Sequence, residues 1–193
     1  MELWHAWVCP YCMRVRAALA EKGIPWEGRE VDLAKKPPEL FQLNPKGGVP
    51  VLVDGGRVIP ESLDILEYLE KVRPEPRLFP ERPGREAVRR AYDAVNARLG
   101  AHVVKLARGT PEEKQAATAA LREALAALDG EVAAGGFLLE SFSAADLALA
   151  SFVGKLPAAL RPSALGLPNL SRWERQVMER PSVKGQAAAP AAG

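Results

Sequence analysis

Apolar positions in the first half of the chain predict strands and helices in alternation. Met1 to Val8 is a mostly apolar run that predicts a short buried strand. Met13 to Lys22 is rich in helix formers, and the Gly23 and Pro25 that follow predict the end of that helix. Trp26 to Val31 alternates in polarity and predicts a second strand. Because a helix connects the two strands, we expect them to be parallel.

A hairpin and a third helix come next in the chain. A short helix is predicted around Glu39 to Leu43. Val49 to Val53 and Arg57 to Ile59 are separated by Asp54-Gly55-Gly56, which is the strongest hairpin signal in the sequence. A third helix is predicted from Ser62 to about Val72. The order of elements in this half is therefore β-α-β-α-β-β-α.

The second half of the chain predicts helices only. Apolar residues at steps of three and four from Val88 to Leu106 predict an amphipathic helix that Gly109 ends. A second helix begins with a capping box at Thr110 and carries apolar positions as far as Val132. Ser143-Ala144-Ala145-Asp146 is another Ser-x-x-acid cap, so we assign Ser143 and Asp146 to folding. Asn169 to Arg180 predicts the last clear helix.

A proline-rich stretch separates the two halves and predicts a domain boundary. At 193 residues the chain is long enough for two small domains, each with a core. We expect an α/β domain over residues 1–75, a proline-rich linker over 76–84 and an all-helical domain over 85–183. The Ala-, Pro- and Gly-rich residues 184–193 predict a disordered tail.

Composition and charge narrow the classes of partner. The net charge of +2 gives no strong field for nucleic acid, and no apolar run approaches the roughly 20 residues that span a bilayer. The first residues lack a basic region followed by an apolar stretch and a cleavage site. We therefore expect a cytoplasmic protein that binds neither nucleic acid nor a membrane.

Both cysteines of the chain lie in Cys9-Pro10-Tyr11-Cys12, between the first predicted strand and helix. At a helix N-terminus, unpaired N–H groups and the helix dipole favour the Cys9 thiolate. Pro10 suits the first helical position because it has no N–H to leave unpaired. Cys12 lies one turn deeper on the same face, within the reach of a disulfide. The spacing predicts that Cys9 attacks and Cys12 resolves.

Two other interpretations of the cysteines are open. Free cysteine is often only a small buried apolar residue, although the spacing at a helix start favours redox chemistry. A zinc site with His5 as a further ligand is the second alternative. Structural zinc prefers four ligands, and the chain has no second cysteine pair. We therefore predict redox chemistry and no metal.

Together these features resemble the cytosolic glutathione S-transferase superfamily, most closely its two-domain glutaredoxins and omega-like members with a CPYC active site. The resemblance implies a thioredoxin-like N-terminal domain of α/β class followed by an all-α C-terminal domain. The matching motifs occur in family order across nearly the whole chain: Cys9–Cys12, Val49-Pro50, Pro60–Ile65, Ser143–Asp146, Pro168–Trp173 and Arg180–Val183.

The resemblance also implies roles for single residues. Cys9 corresponds to the nucleophile, and the backbone of Val49 corresponds to the group that pairs with the cysteinyl part of glutathione. Pro50 corresponds to a cis-proline. Glu61 and Ser62 correspond to the site for the γ-glutamyl end, and a helix N-terminus at Ser62 can offer N–H groups to its carboxylate.

Pro10 and Tyr11 complete the predicted binding residues, with Tyr11 at the lip of the site. Taken without the resemblance, Ser62 also fits a plain helix cap, and Pro50 also fits a trans proline at the start of a strand. The chain departs from many glutaredoxins at His5-Ala6-Trp7-Val8, where they carry a lysine or another polar residue before the nucleophile.

The predicted function is a glutathione-dependent thiol-disulfide oxidoreductase that acts through Cys9 and Cys12. Glutathione is the expected co-substrate, although another low-molecular-weight thiol could occupy the same site. Expected partners are small disulfides or glutathionylated proteins, and the chain is expected to be a monomer or a homodimer. The alternatives are an omega-like glutathione transferase or dehydroascorbate reductase, and a regulatory protein that has kept the fold without catalysis.

Overall fold

The computed structural model describes residues 1–186, which form two compact units. The first unit comprises Met1–Leu78 together with residues 181–186 of the described chain, and the second comprises Phe79–Arg180. The predicted helical domain extended to residue 183, whereas residues 181–183 belong to the first unit. Of the predicted tail, residues 187–193 lie outside the described part of the chain.

Four strands and eight α-helices make up the described chain, with a short 3-10 helix at Ala158–Leu160. In chain order they are β1 (Glu2–His5), α1 (Pro10–Glu21), β2 (Glu27–Glu30), α2 (Pro38–Leu43), β3 (Val51–Asp54), β4 (Arg57–Ile59), α3 (Ser62–Val72), α4 (Arg85–Arg108), α5 (Pro111–Asp129), α6 (Ala144–Val153), α7 (Pro168–Met178) and α8 (Pro181–Lys184). The predicted fold class is confirmed: a β-α-β-α-β-β-α arrangement precedes an all-helical unit.

The first unit is built on a four-stranded sheet in the order β2-β1-β3-β4. As predicted, β1 and β2 are parallel, and β3 and β4 form an antiparallel hairpin. Gly55 and Gly56 have φ values of +54° and +84°, which side chains disfavour and which a tight two-residue hairpin turn requires. The turn residues therefore fix the hairpin register.

The sheet brings three chain segments to one edge. Trp4, near the end of β1, pairs with Val51 at the start of β3. Ile59 at the end of β4 pairs with Leu52, which is also near the start of β3. Because neighbouring strands lie about 4.8 Å apart, the segments that leave β1, enter β3 and leave β4 share this edge within roughly 10 Å. The predicted site residues lie in these three segments.

β1 is shorter than predicted, because the chain leaves the sheet at Ala6. The Ala6 N–H donates to Cys12 Sγ at 3.4 Å. The Ala6 carbonyl accepts from the backbone N–H of Cys9 at 3.2 Å and from Arg16 Nη1 at 3.3 Å. Both backbone groups of Ala6 are thus bonded to the start of α1, so the predicted strand cannot extend to Val8.

The segment after residue 180 packs on α1. Ser182 Oγ donates to the Glu21 carboxylate, and Arg16 Nη2 donates to the Gln186 carbonyl at 3.0 Å. Lys184, the first residue of the predicted disordered tail, ends α8. The tail prediction is therefore wrong for residues 184–186, because these contacts order them.

Helix caps and one buried carboxylate stabilise the second unit. Asp146 is fully buried, and its carboxylate accepts from the backbone N–H groups of Leu138 and Ser143 and from Trp173 Nε1 at 2.9 Å in each case. The assignment of Ser143 and Asp146 to folding agrees with this network. α5 ends at Asp129 rather than Val132, with Gly130 as its C-cap, and the Asp129 side chain accepts from the first turn of α7.

No helix among residues 1–186 is both long enough and apolar enough to cross a bilayer.

Candidate active site

Cys9 lies at the N-cap of α1 in an extended conformation, with φ −82° and ψ 121°. Pro10 occupies the first turn, as predicted, because the ring needs no hydrogen-bond acceptor there. The Cys9 side chain is half-buried, and the neighbouring Val8 is 66% exposed. Cys9 is thus held by a rigid helix start while remaining open to solvent on one side.

Cys12 lies one turn further along α1 and is fully buried. Its sulfur accepts from the Ala6 N–H at 3.4 Å. No disulfide joins Cys12 to Cys9. The two thiols therefore differ sharply in exposure although they belong to one helical turn.

The pKa values of the two thiols shift in opposite directions. A hydrogen bond from the Cys12 thiol lowers the pKa of Cys9 to about 6, aided by the N–H groups of Cys12 and Tyr11 and the charge of Arg14. Burial raises the pKa of Cys12 well above its usual value, and the neighbouring Cys9 raises it further. Near neutral pH, Cys9 is therefore the thiolate and Cys12 the proton donor that stabilises it.

Val49 and Pro50 lie against the thiol turn. Cys9 Sγ lies 3.8 Å from the Val49 carbonyl oxygen, within hydrogen-bond reach when the thiol is protonated. The peptide bond between Val49 and Pro50 is cis, as the resemblance implied. Pro50 is buried and Val49 is half-buried. The structure thus brings these predicted residues together with Cys9.

Glu61 and Ser62 form the start of α3 at the same sheet edge. Glu61, not Ser62, is the N-cap residue, and its side chain makes no capping hydrogen bond. Ser62 is the first helical residue and is 8% exposed. The interpretation of Ser62 as the N-cap is therefore wrong, and the N–H groups of the first turn of α3 are not capped by Glu61.

Two arginines of α1 belong to the site although the sequence did not single them out. Arg14 and Arg16 are both fully buried. The Arg14 guanidinium lies over the Tyr11 ring, 4.7 Å from its centroid. Tyr11 is half-buried at the lip of the turn. The detectable signal was the presence of two charges in a helix segment whose other residues, from Met13 to Leu19, are apolar.

His5 lies beneath the turn in an aromatic cluster. Its ring meets those of Trp7 and Trp26 edge-on, each with centroids 5.3 Å apart. Its Nδ1 faces Arg16 Nη1 at 3.3 Å. Burial and the Arg16 charge lower the pKa of His5 to about 4, so the ring is neutral at physiological pH.

Among residues 1–186, no group of three or more His, Cys, Asp or Glu side chains is arranged to hold a metal ion. His5, the further ligand considered for zinc, has its Nδ1 directed at a guanidinium. A cation next to that nitrogen disfavours metal binding there.

Comparisons with known proteins identify the family. The glutathione S-transferase N-terminal domain model matches residues 8–72, and the glutathione S-transferase C-terminal domain model matches residues 111–176. A protein described as probable glutathione S-transferase parC, from Nicotiana tabacum, is 34% identical over 92% of this chain and 84% of its own length.

Solved structures agree with these matches. Glutathione transferase Omega 3C from Trametes versicolor aligns with 98% of this chain and 89% of its own, at 30% identity and a TM-score of 0.83. Rice GST1, solved in complex with glutathione, aligns with 96% of this chain and 89% of its own, at 30% identity and a TM-score of 0.83. From its paired domain matches, its relatives and its fold, the chain belongs to the glutathione S-transferase superfamily.

Proposed function

We propose that this protein is a glutathione-dependent thiol-disulfide oxidoreductase of the glutaredoxin type. The observation that carries the proposal is the opposite state of the two thiols in one helical turn. Cys9 is partly exposed and its pKa is lowered to about 6, whereas Cys12 is buried and its pKa is raised. An attacking thiol needs the first environment, and a thiol that acts second fits the other.

The reaction begins when the Cys9 thiolate attacks one sulfur of a disulfide or of a glutathionylated protein thiol. The substrate S–S bond breaks, a mixed disulfide forms on Cys9, and the leaving thiolate takes a proton from solvent. Cys12 can then lose its proton and attack Cys9 Sγ, which forms the Cys9–Cys12 disulfide and releases the second thiolate. Alternatively, where Cys9 carries a glutathionyl group, a glutathione thiolate attacks the sulfur of that group, which releases the Cys9 thiolate and glutathione disulfide.

The binding residues lie around this turn. We propose that the Val49 backbone pairs with the cysteinyl part of glutathione and that Pro50 holds Val49 in place. The N–H groups in the first turn of α3, which the Glu61 side chain does not cap, are suited to the γ-glutamyl carboxylate, with Ser62 beside them and Glu61 toward the ammonium. The absence of a Glu61 capping bond supports this role.

The proposal is tested by reducing a glutathione mixed disulfide with two single variants. Cys9→Ser is expected to abolish the reaction, because no other cysteine can start it. Cys12→Ser is expected to retain reduction of glutathione mixed disulfides while losing reduction of protein disulfides, which needs both thiols. Equal loss in both variants would contradict the assigned roles, as would activity that survives Cys9→Ser.

A second candidate function is glutathione transfer to an electrophile or reduction of dehydroascorbate, as in omega-like members. The names of the relatives and structural neighbours favour it. A thiolate at the position of Cys9 favours disulfide chemistry with glutathione over activation of its thiol. Parallel assays with a chloronitrobenzene, dehydroascorbate and a glutathione mixed disulfide separate these functions, and inactivity in all three would favour a regulatory role.

A further inference from the structure

Arg16 is a buried cation whose contacts do not fully compensate the burial of its charge. Its guanidinium donates to the carbonyls of Ala6 and Gln186 and lies 4.1 Å from the centroid of the Trp7 ring. Its Nε is buried without a hydrogen-bond partner, and among residues 1–186 no carboxylate forms an ion pair with it. A buried charge that is incompletely satisfied destabilises the fold, so its presence calls for another explanation.

The position of Arg16 relative to Cys12 supplies that explanation. Arg16 follows Cys12 by four residues in α1, so the two side chains project from the same helix face. Both contact the backbone of Ala6: Cys12 Sγ accepts from its N–H at 3.4 Å, and Arg16 Nη1 donates to its carbonyl at 3.3 Å. The guanidinium and the buried thiol are therefore both bonded to Ala6, and both lie in a region without bulk water.

We propose that Arg16 is a positioning residue for the resolving step, in which its guanidinium supplies the counter-charge to Cys12 as that thiol ionises. This proposal rests on the proposed function. During resolution the Cys12 S–H bond breaks, its proton goes to solvent, and the Cys12 thiolate attacks Cys9 Sγ. The Cys9–Cys12 bond forms as the bond between Cys9 and the substrate sulfur breaks, and the substrate thiolate leaves.

The other charged groups near the pair do not replace Arg16. The Arg16 charge lowers the pKa of Cys12, against the burial and the Cys9 neighbour that raise it. His5, which faces the guanidinium, is neutral at physiological pH. Glu30 acts on Arg16 through space and carries the opposite sign to the charge that Cys12 needs. Arg16 is thus the cation placed to favour the Cys12 thiolate.

The test measures the two thiol reactions separately. One equivalent of dithiobis(nitrobenzoate) is mixed with the reduced full-length protein, and the coloured thiolate is followed by stopped-flow absorbance. Attack by Cys9 releases the first thiolate, and attack by Cys12 on the resulting mixed disulfide releases the second. A missing second phase in the wild type would contradict the assigned role of Cys12 as the resolving thiol, independently of Arg16.

Removal of the charge is expected to slow the second phase only. Arg16→Met should slow it about tenfold near pH 7 and move its pH profile upward by about one unit, since one pKa unit is a factor of ten. Arg16→Gln keeps an amide donor for the carbonyls and should be slowed alike, whereas Arg16→Lys keeps the charge and should recover most of the rate. Circular dichroism establishes that each variant is folded.

Arg14→Met is the matched control, because it removes an equally buried arginine from the same helix. Arg14 lowers the pKa of Cys9, so this variant should slow the first phase more than the second. A normal second phase in both Arg16→Met and Arg16→Gln would overturn the proposal. Equal slowing of the second phase in the Arg14 and Arg16 variants, or in Arg16→Lys and Arg16→Met, would also overturn it.

Discussion

Two helices of the first unit and two of the second begin differently. In the second unit, Thr110 and Ser143 begin α5 and α6 with capping boxes. In the first unit, the N-cap residues of α1 and α3 are Cys9 and Glu61, and neither side chain makes a capping hydrogen bond. Of these four helices, the two without a side-chain cap carry the predicted site residues.

The difference determines whether the N–H groups of a helix start stabilise the fold or act on an anion. A capped N-terminus has its N–H groups bonded within the chain, so it contributes stability and offers nothing to a ligand. At α1 the N–H groups of Cys12 and Tyr11 instead lower the pKa of the Cys9 thiol. The same backbone geometry therefore stabilises the fold in one unit and an anion in the other.

The largest effect on stability is expected from the buried cap at α6. Asp146→Ala removes the acceptor for the N–H groups of Leu138 and Ser143 and for the Trp173 indole. The Ser143 hydroxyl loses the same acceptor. Leaving these buried donors unsatisfied should lower the free energy of unfolding by about 3–5 kcal/mol. Thermal unfolding should show a fall of about 10 °C in melting temperature.

The control for this variant lies in the other unit. At temperatures where Asp146→Ala is folded, the pH midpoint for alkylation of Cys9 should equal that of the wild type. Asp146→Asn, which keeps the volume and one acceptor, should lose less stability. A shifted Cys9 midpoint would show that the two kinds of helix start are not independent.

A change of pH is expected to have a smaller effect on stability, because it titrates one thiol. Alkylation of Cys9 by iodoacetamide should rise about tenfold per pH unit and level off above the pKa, which is about 6. Since the folded-state pKa of Cys9 lies below that of free cysteine, about 8.5, the thiolate contributes stability that is full above about pH 8.5 and is lost as pH falls through 6.

Two measurements check the sign of this dependence. Between about pH 6 and pH 8.5 the reduced wild type should gain stability with rising pH, and Cys9→Ser should not. Serine is a good N-cap, so any loss of stability in Cys9→Ser at lower pH should be slight. An alkylation midpoint near the pKa of free cysteine, about 8.5, would show that the start of α1 does not stabilise a Cys9 thiolate.

The smallest effects on stability are expected from exposed residues at helix N-termini. Thr110→Ala removes the cap whose oxygen accepts from the Glu113 N–H at 3.3 Å, and it should cost about 1 kcal/mol of stability. Glu61→Gln removes a charge but no capping bond, so its effect on stability should stay within about 0.5 kcal/mol. Denaturant unfolding of the two variants gives this comparison.

The two variants should rank in the opposite order when their effects on glutathione binding are compared. Glu61→Gln should raise the KM for glutathione about tenfold, because a charge-assisted hydrogen bond to the ammonium would become a neutral one. Thr110→Ala should leave that KM unchanged. If Glu61→Gln bound glutathione normally and lost as much stability as Thr110→Ala, Glu61 would be a structural residue.

The order of elements and the two cysteines were predictable because local patterns specify them. Turn residues such as Gly55-Gly56, the capping box at Thr110 and the Pro10 position each act over a few residues, so the sequence indicates them directly. Boundaries that depend on distant partners were not predictable. Residues 184–186, predicted to form part of a tail, are ordered by contacts with α1.

The sequence by itself determined that Cys9 begins a helix and that Cys12 lies one turn deeper, because helix geometry fixes that relation. Tertiary structure decided how the two thiols differ. The Val49 carbonyl lies near Cys9 through strand pairing, and the bend at Ala6 directs an N–H to Cys12. Arg16 is buried beneath the pair by a segment that begins 165 residues later in the chain, at Pro181. Charge, burial and distance between remote segments set a thiol's pKa, and these exist only once the chain has folded.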